Sequence, residues 1–446
     1  MKVSGLLVAA IVLAGLSGAI YWSNHHPPAE ATSKISSDTP PKILDLKEAD
    51  ISKVEIRKKS SEELALEKNS SGKWQITAPT PLSADQDSVS SMMSTLTSLN
   101  SDRLVDDKAT DLKQYGLADP SLEIDLTTKQ KPHKLLIGDD SPTGSAVFAK
   151  LEGDPRVFTI ASYNKTSIDK GPNDLRDKRL LTADFDKLSR VEVAAKKEQW
   201  EFARNKQEWQ ILKPKPLRAD NYQVEDFVRK LREAKMDLSG ADTDEKKAAA
   251  SFSSGTPVGS AKVTDSAGTQ ELQVRKSKDN NYYAKSSVVA GIYKVPNDVG
   301  QAFDKKLEDF RNKKLFDFGY DEPSKVELHD GVKAYFLTKG GEDWWSDGKK
   351  MDSSSVQSLI DKVRSVSASK FVDSGFTTPA IEATVTSNDN KRVEKVFISK
   401  TGERFIAKRE NEPALYELEP SDVTDLQKAA AELKQALPPP PPAKKK

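Results

Sequence analysis

Three tryptophans, Trp74, Trp209 and Trp344, stand at a constant step of 135 residues, and each sits in the same succession of motifs. A chain with such a repeat folds equivalent segments into equivalent units, and the step is the size of one small domain. The copies start alike. Ile51-Ser52-Lys53-Val54-Glu55-Ile56 returns as Leu188-Ser189-Arg190-Val191-Glu192-Val193 and as Pro323-Ser324-Lys325-Val326-Glu327-Leu328. Each start alternates as a short strand does and leads through another strand to its tryptophan.

A helical period follows every tryptophan. Val89, Met93, Leu96 and Leu99 form the first stripe, Val224, Phe227, Val228 and Leu231 the second, and Val356, Leu359, Ile360 and Val363 the third. Steps of three and four place each set on one helix face, with Asp85 and Ser353 as N-terminal caps. Next come turns, Gly116-Leu117-Ala118-Asp119-Pro120 and Gly375-Phe376-Thr377-Thr378-Pro379. The middle copy has only Gly255-Thr256-Pro257, after a charged and Ala/Ser-rich insertion from Ala241 to Ser254. Four alternating strands then predict an antiparallel meander solvated on one side.

The first two copies close on Asp174-Leu175-Arg176-Asp177-Lys178-Arg179-Leu180-Leu181 and Asp309-Phe310-Arg311-Asn312-Lys313-Lys314-Leu315-Phe316. The third ends in a helix from Val423 to Leu437, as a terminal copy without a following neighbour can. The fold class expected is α+β: three tandem units, each with a short strand pair or triplet, one amphipathic helix and a meander. The division is 1–22 membrane anchor or signal segment, 23–46 stalk, units 47–187, 188–322 and 323–437, and a 438–446 tail.

From Val3 to Trp22 the chain carries no charge and is dominated by Leu, Val, Ala and Ile. About 20 residues suffice to cross a hydrocarbon core as a helix. Ser17-Gly18-Ala19 also fits signal-peptide cleavage. The apolar run continuing past Ala19 into Tyr21 and Trp22 favours a retained anchor, with Lys2 cytoplasmic and the units extracytoplasmic. Ser23 to Pro41 reads as a stalk, and Pro438–Pro442 with three terminal lysines as a solvated basic spacer.

Chemistry is sparse. Zero cysteines exclude disulfides, thiolate sites and a lipidated cysteine, and the four histidines are His25 and His26 in the stalk and His133 and His329 at strand ends. They lack metal-ligand spacing, and Gly138-Asp139-Asp140 lacks the acidic ladder of a calcium loop. Sixty-nine basic against 68 acidic residues argue against nucleic acid as a partner. No nucleophile elbow appears. No catalytic residue, metal or cofactor is assigned.

Trp74, Trp209 and Trp344, Arg176 and Arg311, and Pro120 and Pro379 read as structural repeat positions. An arginine needed in every copy packs its stem and pairs its fork rather than marking one active site. Trp345, without counterpart elsewhere, and the strand pair Tyr282 and Tyr283 are the candidate interaction residues.

The starts, the Gly-Lys-Trp strand, the Gly-Leu-x-x-Pro turn, the Leu-x-Ile-Gly strand and the closing box together resemble the bacterial domain of unknown function 4340 family. Val54, Trp74, Gly116, Leu117, Pro120, Ile137, Gly138, Leu175, Arg176 and Leu180 carry the resemblance, which extends more weakly from Lys47 to Glu432. The middle copy departs most, lacking the Gly-Leu pair and placing Arg275 at the position of Gly138. The resemblance implies a cell-envelope protein, often with an N-terminal membrane segment, some relatives accompanying ABC-transporter and gliding-motility accessory proteins. It supplies no catalytic residues. The resulting expectation is a non-enzymatic envelope scaffold or accessory protein at the bacterial inner membrane, with protein partners. A cell-wall glycan or peptidoglycan module and an unrecognised envelope hydrolase stand as alternatives, as does a secreted periplasmic form.

Overall fold

The computed structural model describes residues 41–437, apart from 60, 130, 143, 207, 240–244, 321 and 388. The N-terminal apolar run, most of the stalk, His25, His26 and the proline-lysine tail lie outside the described residues. Among those described, no helix is long and apolar enough to cross a membrane. Two compact bodies result, one ending at Asp177 and the other beginning at Lys178.

The first body is one antiparallel sheet. Its strands are β1 (Ile51–Lys58), β2 (Leu64–Lys68), β3 (Trp74–Ala78), β4 (Leu82–Ser83), β5 (Arg103–Asp106), β6 (Leu122–Thr128), β7 (Pro132–Asp140), β8 (Ala146–Leu151) and β9 (Val157–Ala161). They lie in the order β4-β3-β2-β1-β6-β7-β8-β9-β5. The opening strands and the meander are therefore not separate layers. β1 pairs with β6, Val54 opposite Leu126 and Ile56 opposite Ile124, which puts the apolar residues of both on one face. The Gln86–Thr97 helix covers that face with Val89, Met92, Met93 and Leu96. Its cap is Asp85, which accepts the Ser88 amide at 3.0 Å.

The second body holds two further sheets of the same plan. One contains β10 (Arg190–Ala195), β11 (Glu198–Asn205), β12 (Glu208–Lys213), β13 (Leu217–Arg218), β14 (Thr256–Asp265), β15 (Gly268–Lys276), β16 (Tyr282–Ser286) and β17 (Ile292–Val295). Its order among the described residues is β13-β12-β11-β10-β14-β15-β16-β17. The other contains β18 (Lys325–Asp330), β19 (Lys333–Gly340), β20 (Asp343–Ser346), β21 (Lys349–Lys350), β22 (Lys370–Val372), β23 (Pro379–Ser387), β24 (Arg392–Thr401), β25 (Arg404–Arg409) and β26 (Leu415–Leu418). It runs β21-β20-β19-β18-β23-β24-β25-β26-β22, matching the first sheet place for place. The Asn221–Arg232 and Ser353–Ser365 helices bury their stripes as their spacing predicts. The third cap is Asp352, not Ser353: its carboxylate accepts the Ser355 amide at 2.9 Å. The terminal helix ends at Ala431 rather than running to Leu437.

The cores begin ahead of the strand starts at Leu188 and Pro323. Leu180, Leu181, Ala183 and Phe185 belong to the middle core, and Leu315, Phe316 and Phe318 to the last. Backbone hydrogen bonds explain this: Leu180 donates to Ala234 (2.9 Å) and Leu315 to Val366 (3.2 Å), each just past the unit's helix.

The middle copy's departures form one coupled change. In the first copy Gly138 faces the Lys113–Tyr115 turn so closely that a Cβ would sit 2.1 Å from the Tyr115 carbonyl. Only glycine fits under that turn. The middle copy replaces the turn with an extra helix, Glu245–Ser254. Arg275 then has a function there: its guanidinium lies over Phe252 at 5.0 Å and donates to the Phe252 and Ser253 carbonyls, both at 3.2 Å. Those are carbonyls of the helix's last turn, where a cation is favoured.

Candidate functional site

Among the described residues, a cluster of half-buried and buried charge lies in the second body, where the middle and last repeats meet. The Phe310–Leu315 segment is a backbone splice between them. Backward, Asp220 donates to Phe310 (2.8 Å) and Asn312 to Arg218 (3.0 Å); forward, Leu315 donates to Val366 and Ala368 to Lys313 (2.8 Å). Arg218, at the end of β13, leans across this splice. Its guanidinium meets Asp317 at 2.5 Å and Glu412 at 2.9 Å, and donates to the Lys314 carbonyl at 2.5 Å and the Tyr416 hydroxyl at 3.1 Å.

A second arginine completes the knot. Arg409 pairs with Glu412 at 2.8 Å, Glu394 at 3.1 Å and Asp317 at 3.4 Å, and donates to the Leu315 carbonyl at 2.5 Å. Glu394, 4% exposed, accepts the Asp317 amide at 2.9 Å. The Tyr416 hydroxyl donates to Glu412 at 2.7 Å. Burial opposes the charged form of Arg218, but the charge of Asp317, with Tyr416 and Glu412, more than offsets it and raises its pKa. Burial pushes the Tyr416 phenol up, keeping it the neutral donor this network uses.

Beside the knot opens a cleft of about 290 Å³, lined among others by Arg311, Phe371, Leu217, Pro413 and Tyr416. Arg311 stacks on Phe371, 3.4 Å from the ring centroid. Burial lowers its pKa, with Tyr416, Glu308 and Asp373 acting against that from a distance. Chemically the arrangement is a suture. Asp317, Glu394 and Glu412 are each held by an arginine, so none stands free as a general base. Among the described residues no cluster of three metal-capable side chains occurs.

The residues singled out in the sequence are dispersed. Trp74, Trp209 and Trp344 are buried, one in each core. The helix starts hold two of them in place: Gln86 bonds both the amide and carbonyl of Trp74 at 2.9 Å, and Asn221 accepts the Trp209 amide at 2.6 Å. Arg176 and Arg311 take equivalent backbone places, bridging Ala84 and Ala219. Pro120 closes the turn before β6, and Pro379 opens β23 opposite Ser399.

Tyr282 and Tyr283 are not surface aromatics. Both are buried, Tyr282 in the main core and Tyr283 beneath the extra helix with Ala248 and Phe252. An inserted helix covers the strand face that the alternation pattern left open. Trp345 does reach the surface, at 40% exposure. His133 lies in β7 and His329 in β18, in separate bodies.

The knot escaped sequence reading, although one signal was available. Glu394 holds an inward position of β24, in step with Val396 and Ile398, where an acid needs a buried cation. Arg218 itself replaces Ser83 of the first repeat, a change invisible to motif matching.

Comparison with known proteins comes down to one family. The model described as "Domain of unknown function (DUF4340)" matches residues 74–215 and again 209–384. Each match opens on a repeat tryptophan and runs past the next. No curated protein and no solved structure matches the chain.

Proposed function

The chain belongs to the DUF4340 family, and from that premise we propose that it is a non-enzymatic scaffold or accessory protein of the bacterial cell envelope. One observation carries the reading: the most elaborate polar network described joins two repeats and leaves no reactive group free. A catalytic centre needs a base or nucleophile poised in a cleft, with a pKa matched to its task. Here the cleft is lined by an arginine stacked on phenylalanine, by apolar side chains, and by polar ones among which the carboxylate, Glu412, is already held by Arg218 and Arg409.

Repeated units with separate cores suit presentation of surfaces to several neighbours. The uncharged run from Val3 to Trp22 supports retention at the inner membrane, with the repeats extracytoplasmic and protein partners in an envelope assembly such as an ABC transporter. Fractionation of living cells combined with crosslinking and partner identification tests the proposal. Intact protein in the membrane fraction, crosslinked to envelope components, is the expected result. Intact protein in the cytosol without membrane association overturns it.

A further inference from the structure

The three sheets differ on the faces their helices do not cover. In the first, that face is a ladder of ion pairs: Arg57 reaches Asp125, Glu63 (3.3 Å) and Glu55 (3.4 Å), and Lys53 meets Glu55 at 2.7 Å. In the second, Glu201 is clasped by Lys213 at 2.6 Å and Arg190 at 3.3 Å. Register carries these positions into the third. Glu55, Glu192 and Glu327 correspond, and opposite them stand Ala65, Glu201 and Phe336. Two residues along from the shared glutamate, Arg57 becomes His329. After the repeat tryptophan, Gln75 and Gln210 become Trp345. At these positions the charges of Arg57 and Glu201 and the neutral side chains of Ala65, Gln75 and Gln210 give way in the third sheet to three rings, His329, Phe336 and Trp345.

The aromatics are placed, not scattered. Phe336 is 44% exposed and meets the His329 ring edge-on at 5.3 Å. The Trp345 indole lies close over the Gly340 backbone, where a Cβ would come within 3.2 Å of it. Thr338 is the cross-strand partner of Trp345, Glu327 that of Phe336, and Thr384 that of Glu327, so hydrogen-bonding side chains stand beside the rings on the same face. The outward charges balance locally, Lys395 pairing with Glu382 at 3.3 Å and Lys325 standing beside Glu327 on the same strand.

We propose that this face binds a neutral, β-linked glycan strand, with Trp345 and Phe336 stacking on pyranose rings and Thr338, Glu327 and Thr384 bonding their hydroxyls. A pyranose combines an apolar C–H face with a polar rim, which is the alternation the sheet presents. A protein partner favours a contiguous apolar centre inside a polar rim, and here Thr338 and Glu327 stand directly opposite the two exposed rings, within the patch itself. An acidic or basic ligand finds no net charge of opposite sign. The flat ribbon of a β-linked chain suits an open sheet face rather than a pocket.

Titration calorimetry of the full chain with chitohexaose, a neutral β-linked hexosaccharide, tests the site. Measurable binding is expected, weakened about tenfold or more by Trp345→Ala and by Phe336→Ala, as loss of one aromatic stacking contact implies. Trp345→Phe should restore part of the loss, and Gln75→Ala, on the first sheet, should change nothing. Both alanine variants should melt with the wild type, since the side chains are exposed. Absence of binding heat overturns the proposal, as does equal affinity in wild type and both variants. So does a photo-crosslinker at position 336 in living cells that traps protein and no glycan.

Discussion

Arg218→Ala should uncouple the middle and last repeats. The side chain is 18% exposed and holds two carboxylates, a carbonyl and a hydroxyl within 3.1 Å. Removing one partner of a buried ion pair costs about 3–5 kcal/mol, because the charges left behind remain desolvated. Arg409 still reaches Asp317 and Glu412 in the variant, so the lower end applies, about 3 kcal/mol. For a body of this size that corresponds to a fall of about 6–12 °C in its melting temperature. Scanning calorimetry of the full chain is the assay. The second body should melt as one unit in the wild type and separate into two transitions in the variant, as nearest-neighbour coupling between repeats predicts. Glu412→Gln should be less harmful and, combined with Arg218→Ala, less than additive by about 0.5–3 kcal/mol, since the two side chains share one network. A variant within about 0.5 kcal/mol of wild type, the ordinary range for surface substitutions, or strict additivity with Glu412→Gln, refutes the suture.

Three further outcomes follow from the packing. Gly138→Ala drives a methyl into the Tyr115 carbonyl and should cost about 1–3 kcal/mol. It should also speed hydrogen exchange at the Gly116 and Leu117 amides, which bond the Lys113 and Leu112 carbonyls; unchanged exchange there counts against the close-approach argument. Phe310→Ala empties the centre of a ring cluster formed with Trp200, Phe202 and Phe227, all with centroids within 5.7 Å. It should destabilise the second body by about 3–5 kcal/mol in denaturant titrations; a loss under 1 kcal/mol would show that the site collapses freely. His133 is held below 6.5 by burial, with Lys131 adding to the effect. The folded chain therefore gives up this proton more readily than the unfolded chain, so the contribution to stability is complete above pH 6.5 and is lost as pH falls through the folded value. An NMR titration should place the imidazole midpoint below 6.5, and a midpoint at or above 6.5 contradicts the reading.

What could be read from the sequence was what period and spacing encode. The helix stripes and the alternation of Leu122, Ile124 and Leu126 are one-dimensional signals of which face is buried, and the cores contain those residues. The joining of both strand groups into one sheet through β1 and β6 was not legible, because pairing between distant strands leaves no local trace. Tyr282 and Tyr283 failed for a related reason. Their strand has an ordinary alternation, and what covers them is a helix from an insertion whose composition resembles a linker. The knot was least legible, because its members are scattered along the chain: Arg218 on β13, Asp317 past the splice, Glu394 on β24, Arg409 on β25, Glu412 in the turn after it and Tyr416 on β26.

The copies therefore divide into what the plan requires and what each has made of it. Most inward positions stay apolar from copy to copy, since a sheet one helix deep has no other way to exclude water, and Glu394 departs from this together with its arginine. The differences come in compatible sets. Arg275 makes sense only with the helix whose carbonyls it meets, and Gly138 only under the turn that helix replaces. Arg218, absent from the first repeat, comes with the acids of the last. Phe336 and Trp345 appear together, with a glycine beneath the indole. A single changed position costs stability unless its neighbours accommodate it, so departures that come in matched sets keep each copy locally consistent with its fold. By that logic the middle repeat departs from the plan where it joins the last, and the last where its uncovered face carries Phe336 and Trp345.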